Sequence, residues 1–105
     1  MRLTTETLQV LGALLDDPHD DHFGLEIAEA AGLPPGGIYP VLARLEAAGW
    51  VESGWSERDP RTQRRRRFYR ITSDGTVHAH KALREAASRS ASRWGGILRP
   101  GSATA

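Results

Sequence analysis

Trp50-Val51-Glu52-Ser53-Gly54-Trp55 and Arg67-Phe68-Tyr69-Arg70-Ile71-Thr72 read as two β-strands flanking a loop crowded with arginine. Arg58, Arg61, Arg64, Arg65 and Arg66 lie in that loop, and Arg67 and Arg70 lie on the returning strand. Between residues 58 and 70 only Asp59 opposes them. Like-charge repulsion makes such a hairpin costly to fold. Its retention points to a polyanionic partner.

Upstream of the hairpin the periodicity turns helical. Leu8, Leu11 and Leu15 recur at helical spacing with Val10 and Leu14 beside them, and Thr4 stands where an N-cap belongs. A first helix is therefore expected over Thr5–Leu15. The polar segment Asp16–His22, broken by Pro18, reads as a loop. A second helix is expected over Phe23–Ala31, with Phe23, Ile27 and Ala30 on one face and Gly32 as its stop. A third opens near Pro34-Pro35, buries Ile38, Val41, Leu42, Leu45 and Ala48, and ends at Gly49. Pro40 lies inside it. A proline cannot donate to the carbonyl four residues back, and here that residue is Gly36, followed by Gly37, so the first turn is small and open. Thr72 is placed to cap a last helix, Ser73–Trp94, on which Ala79, Ala82, Leu83, Ala86, Ala87, Ser90, Ala91 and Trp94 form a stripe. Residues 95–105, rich in Gly, Ser, Ala and Pro, read as a flexible tail.

At 105 residues the chain is one domain with a modest core, marginal as a monomer. The absence of cysteine excludes disulfides, zinc-thiolate sites and thiol chemistry. No apolar run reaches the ~18 residues of a membrane span and the N-terminus is unlike a signal peptide, so a cytoplasmic location is expected. The net charge of +1 hides a division. Residues 1–57 carry two arginines against ten carboxylates, a balance of −8; residues 58–105 carry twelve Lys/Arg against three, a balance of +9. That asymmetry again points to an anionic partner. Lys81 is the only lysine.

Catalysis is not expected. The chain has no Ser-His-Asp order, no phosphate-cradling glycine loop before a helix and no paired carboxylates in an apolar setting. No cofactor is implied. His19 and His22 among four aspartates read as a flexible acidic loop rather than a metal site, and His78 and His80, two apart on a helix, do not face each other.

The order helix, helix, helix, strand, strand, helix is that of a winged helix-turn-helix: a mainly α fold with a two-stranded β wing over residues 1–72, then a C-terminal helix over 73–94. In this arrangement the third helix lies in the major groove of double-stranded DNA while the hairpin reaches phosphates or the minor groove. Gly37-Ile38-Tyr39-Pro40-Val41-Leu42-Ala43-Arg44-Leu45-Glu46, Gly49-Trp50-Val51-Glu52-Ser53 and Arg65-Arg66-Arg67-Phe68-Tyr69-Arg70-Ile71-Thr72-Ser73-Asp74-Gly75, with Phe23-Gly24-Leu25-Glu26-Ile27, resemble the PadR family of transcriptional regulators. The resemblance implies a homodimeric repressor on a palindromic operator, dimerising through the C-terminal helix and the first helix, with Leu8 and Leu11 on the latter. It puts Gly37, Tyr39, Pro40 and Arg44 at or near the DNA, with the wing arginines on the backbone. In some relatives it also implies a cavity near the two-fold axis for a flat aromatic effector, for which Trp94 is the candidate. Two departures stand out. The acidic loop before the second helix is longer than the usual Gly-Pro-x-His-Gly-Tyr turn, and the C-terminal part is short, as in the subfamily with a single terminal helix.

The residues themselves support much of this. Tyr39 falls one position off the Ile38–Leu42–Leu45 stripe, which favours exposure and a phosphate hydrogen bond. Arg61, Arg64, Arg65, Arg66 and Arg67 suit phosphates, where each contact releases counterions and positions the protein without specifying sequence. Gly36, Gly37 and Pro40 fit close approach to the DNA backbone and equally a helix-start device; Arg44 fits a DNA contact and equally a polar-face neighbour of Glu46. Few side chains on the third helix suit base edges, which leaves DNA shape as a share of specificity. The face of Ala79, Leu83, Ala86, Ala87, Ser90 and Trp94 suits packing on a second chain. Two other readings stay open: a winged-helix RNA binder, and an adaptor whose basic wing docks an acidic protein.

Overall fold

Leucine and valine at helical spacing build the centre of the molecule. The computed structural model describes residues 1–98, with side chains described through Ala91. Its elements are α1 (Thr5–Leu15), β1 (His22–Phe23), α2 (Gly24–Ala31), α3 (Pro35–Ala47), β2 (Val51–Trp55), β3 (Arg67–Ile71) and α4 (Ser73–Leu98). Val10, Leu11 and Leu14 of α1 meet Ile27 and Ala28 of α2, and Ile38, Leu42 and Leu45 of α3, in one core. The sheet closes it with Val51, Tyr69 and Ile71, and α4 adds Ala79. Each large side chain fully removed from water here contributes about 1.5–3 kcal/mol.

The helix starts follow from their capping groups. Thr4 Oγ1 accepts from the Thr7 N–H at 3.2 Å, and the buried Thr7 hydroxyl lies 2.9 Å from the same oxygen, so no polar atom is stranded. At α2 the Glu26 carboxylate turns back to accept from the Phe23 N–H at 3.0 Å. The helix therefore opens at Gly24, one residue later than its apolar pattern predicts, and buries Gly24, Ile27, Ala28 and Ala31. Ala30, expected on the buried face, is exposed. Pro40 leaves α3 unbroken.

The wing has three strands rather than two, in the order β1-β3-β2 and all antiparallel. Trp55 lies opposite Arg67 and Ser53 opposite Tyr69 across β2 and β3, while His22 and Phe23 pair with Tyr69 and Phe68 on the other edge. The acidic loop before β1 is held at both ends of its second half. Arg70 donates to Asp21 Oδ1 through Nε (2.9 Å) and Nη2 (2.5 Å), and His22 Nε2 donates to the Asp17 carbonyl at 2.8 Å. A loop expected to be free is thus clasped to β3.

At the wing root, Thr72 ties the sheet to α4. Its Oγ1 accepts from the Gly75 N–H (2.9 Å) and donates to the Gly49 carbonyl (2.8 Å), and its N–H donates to the Trp50 carbonyl (2.9 Å). Gly49 makes the preceding turn at φ +79°, which a residue with a Cβ takes only under strain. α4 itself runs past Trp94 to Leu98. Glycine costs a helix about 1 kcal/mol but does not block it, and no proline intervenes before Pro100. Residues 99–105 of the expected tail lie outside the described residues.

Candidate nucleic-acid interface

The distal wing is a built loop. Ser56 and Arg66 close its neck, through Ser56 N–H to the Arg66 carbonyl and Arg66 N–H to Ser56 Oγ, both at 2.8 Å. At the tip the Asp59 carboxylate accepts from the N–H groups of Arg61 (2.7 Å) and Thr62 (3.3 Å), so this acid serves the turn. Gln63 completes it at φ 59°. Arg58 is spent on the Gln63 carbonyl at 3.1 Å. Arg61, Arg64 and Arg65 are exposed, and their guanidinium groups make no hydrogen bond or ion pair among the described residues. Three free cations stand on an ordered scaffold.

The cations nearer the core are engaged. Arg70 is held by Asp21, as above, with both side chains partly exposed. The guanidinium of Arg66 stacks over the Phe23 ring, 3.7 Å from its centroid. Arg67, grouped in the sequence with the DNA-contacting arginines, turns inward: its Nη2 donates to Ser53 Oγ at 2.7 Å and lies 3.7 Å from Glu46 Oε2, with the Trp55 ring 5.2 Å away. Ser53 in turn donates to Glu46 at 2.5 Å. Glu46 is therefore the partner of Arg67 and Ser53, and Arg44 stands exposed beside it.

On α3 the residues ahead of the buried stripe face outward. Gly36, Gly37, Pro40 and Arg44 are exposed, and Tyr39 keeps 46% of its surface in solvent. The Tyr39 ring lies across Gly24, where an added Cβ would sit 2.8 Å from Cε1 and 2.9 Å from the hydroxyl. Phe23, Gly24, Leu25, Tyr39, Arg66 and Arg67 line a shallow groove of about 190 Å³ between the start of α2, α3 and the wing. Phe23, Leu25 and Glu46 were legible as helix residues but not as part of this site. The only signal for them was an aromatic residue before a glycine at a helix start, and an acid on the polar side of α3.

The profile of the transcriptional regulator PadR-like family matches residues 13–81, from α1 through the wing into α4. The chain belongs to the PadR-like family of transcriptional regulators. No curated protein matches the sequence. Among solved structures, a PadR family regulator of Clostridium difficile R20291 superposes with a TM-score of 0.69 at 20% identity, covering 87% of this chain and 98% of that one. The PcaV transcriptional regulator of Streptomyces coelicolor gives 0.69 at 26% identity, over 98% and 71% of the two chains. BpsR of Bordetella bronchiseptica, whose DNA binding is regulated by 6-hydroxynicotinic acid, gives 0.70 at 23% identity, over 90% and 67%. The fold is shared with regulators of both the PadR and the MarR families. No described helix is long and apolar enough to cross a membrane.

In this PadR-like chain the expected dimer surface needs correction. Leu11 and Ala79 are wholly buried within the chain, where α1 packs on α4, and offer no surface to a partner. Leu8, Leu83 and Ala86 are half-buried, and Ala87 and Ser90 are exposed. The side chain of Trp94 lies outside the described residues. A second cleft of about 240 Å³ opens where Met1 and Leu3 approach Trp50, His78, Lys81, Ala82 and Glu85. Within it the Trp50 and His78 rings stack 4.8 Å apart and within 2° of parallel.

Proposed function

We propose that this regulator is a homodimeric, sequence-specific repressor that holds a palindromic operator with α3 in the major groove and the wing on the backbone. The observation that carries the reading is the trio Arg61, Arg64 and Arg65, exposed and unpaired among the described residues on an ordered loop, on the same wing whose Arg66 and Arg67 share a groove with the exposed Tyr39 of α3. Arg44 and Arg66 complete the contact set. Support for the dimer comes from α4: beyond Ala82 its alanine and serine face is largely exposed, and Val77 is 69% exposed. A helix with so little to pack on inside its own chain is marginal in water without a partner. Release by a small aromatic effector acting near Trp94 is part of the proposal, supported by the ligand-regulated behaviour of BpsR and by PcaV in complex with its natural ligand.

The glycines of α3 offer a distinctive check. A Cβ at Gly36 would meet nothing within 4 Å, and one at Gly37 only Pro34 Cδ at 3.9 Å, so nothing inside the chain requires glycine there. Each glycine costs a helix roughly 0.5–1 kcal/mol relative to alanine. Gly36→Ala with Gly37→Ala is therefore expected to raise the melting temperature by several degrees. It should weaken operator binding about tenfold, as the methyl groups meet the DNA backbone. Unchanged affinity would leave the glycines a helix-start device.

Selection of bound duplexes from random DNA at physiological salt tests the whole reading. An inverted repeat with half-sites one helical turn apart is the expected product. No preference for duplex DNA over RNA in competition would replace it with RNA binding; negligible affinity for either, even at low salt, would favour a protein-docking wing.

A further inference from the structure

The wing root contains a relay whose chemistry is unlike that of the tip. Glu46, near the end of α3, accepts from Ser53 Oγ at 2.5 Å; Ser53 accepts from Arg67 Nη2 at 2.7 Å; and the Arg67 and Glu46 charges stand 3.7 Å apart. One serine hydroxyl both donates and accepts, so α3, β2 and β3 are cross-linked by three side chains around one oxygen. Arg67 also lies beside Trp55, directly across the strand pair. The side chains of Arg67 and Glu46 remain 40% and 38% exposed. The relay therefore sits at the surface that α3 and the wing present together, within reach of a bound polyanion.

Two consequences follow from charge alone. A carboxylate on the recognition helix repels phosphate unless it is neutralised, and Arg67 is the group that neutralises it. An arginine committed to a carboxylate is not available to a phosphate. Resting on the DNA-binding reading above, we infer that Glu46 and Arg67 are positioning residues for specificity: the relay fixes the angle between the recognition helix and the wing while withholding one cation from sequence-independent backbone contact. Freed from Glu46, Arg67 adds affinity for any duplex, while the operator loses what the fixed angle between helix and wing contributed, so discrimination falls.

A double-mutant cycle in the full chain tests this, measuring affinity for operator and for random duplex across a range of salt. Glu46→Gln keeps an acceptor for Ser53 but removes the charge. It should steepen the log K versus log salt slope by about 0.9 and raise random-duplex affinity about fivefold at physiological salt, narrowing the operator-to-random ratio. Arg67→Ala should weaken both duplexes by a similar factor, because it exposes the carboxylate. Glu46→Gln with Arg67→Ala should return close to the unmodified slope and random-duplex affinity. If Arg67 were itself a phosphate contact, Glu46→Gln would leave the slope unchanged and the double variant would be as weak as Arg67→Ala, its slope flattened by about 0.9. That pattern would overturn the inference and leave DNA binding intact. Failure of the unmodified chain to bind any duplex would overturn both.

Discussion

Replacing Arg64, Arg65 and Arg66 together with alanine is expected to weaken operator and random duplex alike by roughly 100-fold for each chain bound, at physiological salt, taking about 1 kcal/mol for each exposed phosphate pair. The slope of log K against log salt should flatten by about 0.9 for each arginine that meets a phosphate, or roughly 2.7 per chain. The loss should be uniform across sequences, because backbone contacts position the protein without reading bases. Folding should survive, since the neck and tip of the loop are closed by Ser56, Asp59 and backbone groups rather than by these guanidiniums. Arg66 contributes differently from the other two: it leaves the Phe23 ring to reach DNA, or contacts it from that stack. Titration of a fluorescent duplex at several salt concentrations is the measurement. An unchanged slope would remove the wing from the interface.

Gly75→Ala is expected to be the most damaging single substitution for stability. Gly75 is buried in the first turn of α4, and a Cβ there would overlap the Trp50 carbonyl oxygen and come within 2.7 Å of its carbon. The obstacle is backbone, so no side-chain rotation relieves it. The Trp50 carbonyl cannot retreat cheaply either, because it accepts from the Thr72 N–H. Overpacking of this kind costs about 3 kcal/mol, the upper part of its usual range. For a chain of this size that lowers the melting temperature by roughly 12–24 °C. Thermal unfolding followed by circular dichroism checks it. A loss of only a few degrees would mean that α4 slides away from the wing root at little cost.

The helices were legible because leucine and valine recur at their spacing, and both threonine caps, Thr4 and Thr72, stand where the pattern puts them. The two long wing strands were legible from alternation and from the arginine loop between them. β1 was not, since two residues carry no periodicity and His22–Phe23 become a strand only by pairing with Tyr69 and Phe68 far along the chain. The same pairing moved the start of α2. At the interface, exposure of Tyr39 followed from its offset from the buried stripe. The division among the arginines did not: seven similar residues look alike in sequence, and only the register that sets Ser53 and Trp55 near Arg67, and the reach of Asp21 to Arg70, separates engaged cations from free ones. Leu11 and Ala79 were misplaced on the dimer face because a helical stripe reports burial without naming what covers it.

The clasp between Asp21 and Arg70 has a bearing on kinetics. With Arg70 and Arg67 neutralised near the core and Arg61, Arg64 and Arg65 left bare at the tip, positive potential is concentrated at the far end of the wing. Glu6, Asp16, Asp17, Asp20, Glu26 and Glu29 lie on α1, α2 and the loop between them, off the wing, and acids and bases nearly cancel in the net charge of +1. A protein charged in this way gains little long-range pull toward a polyanion but a strong torque. Within about a Debye length of ~8 Å it turns wing-first, so collisions in which acidic surface meets phosphate are unproductive. Orientation, rather than attraction at a distance, is what this charge pattern contributes to the encounter.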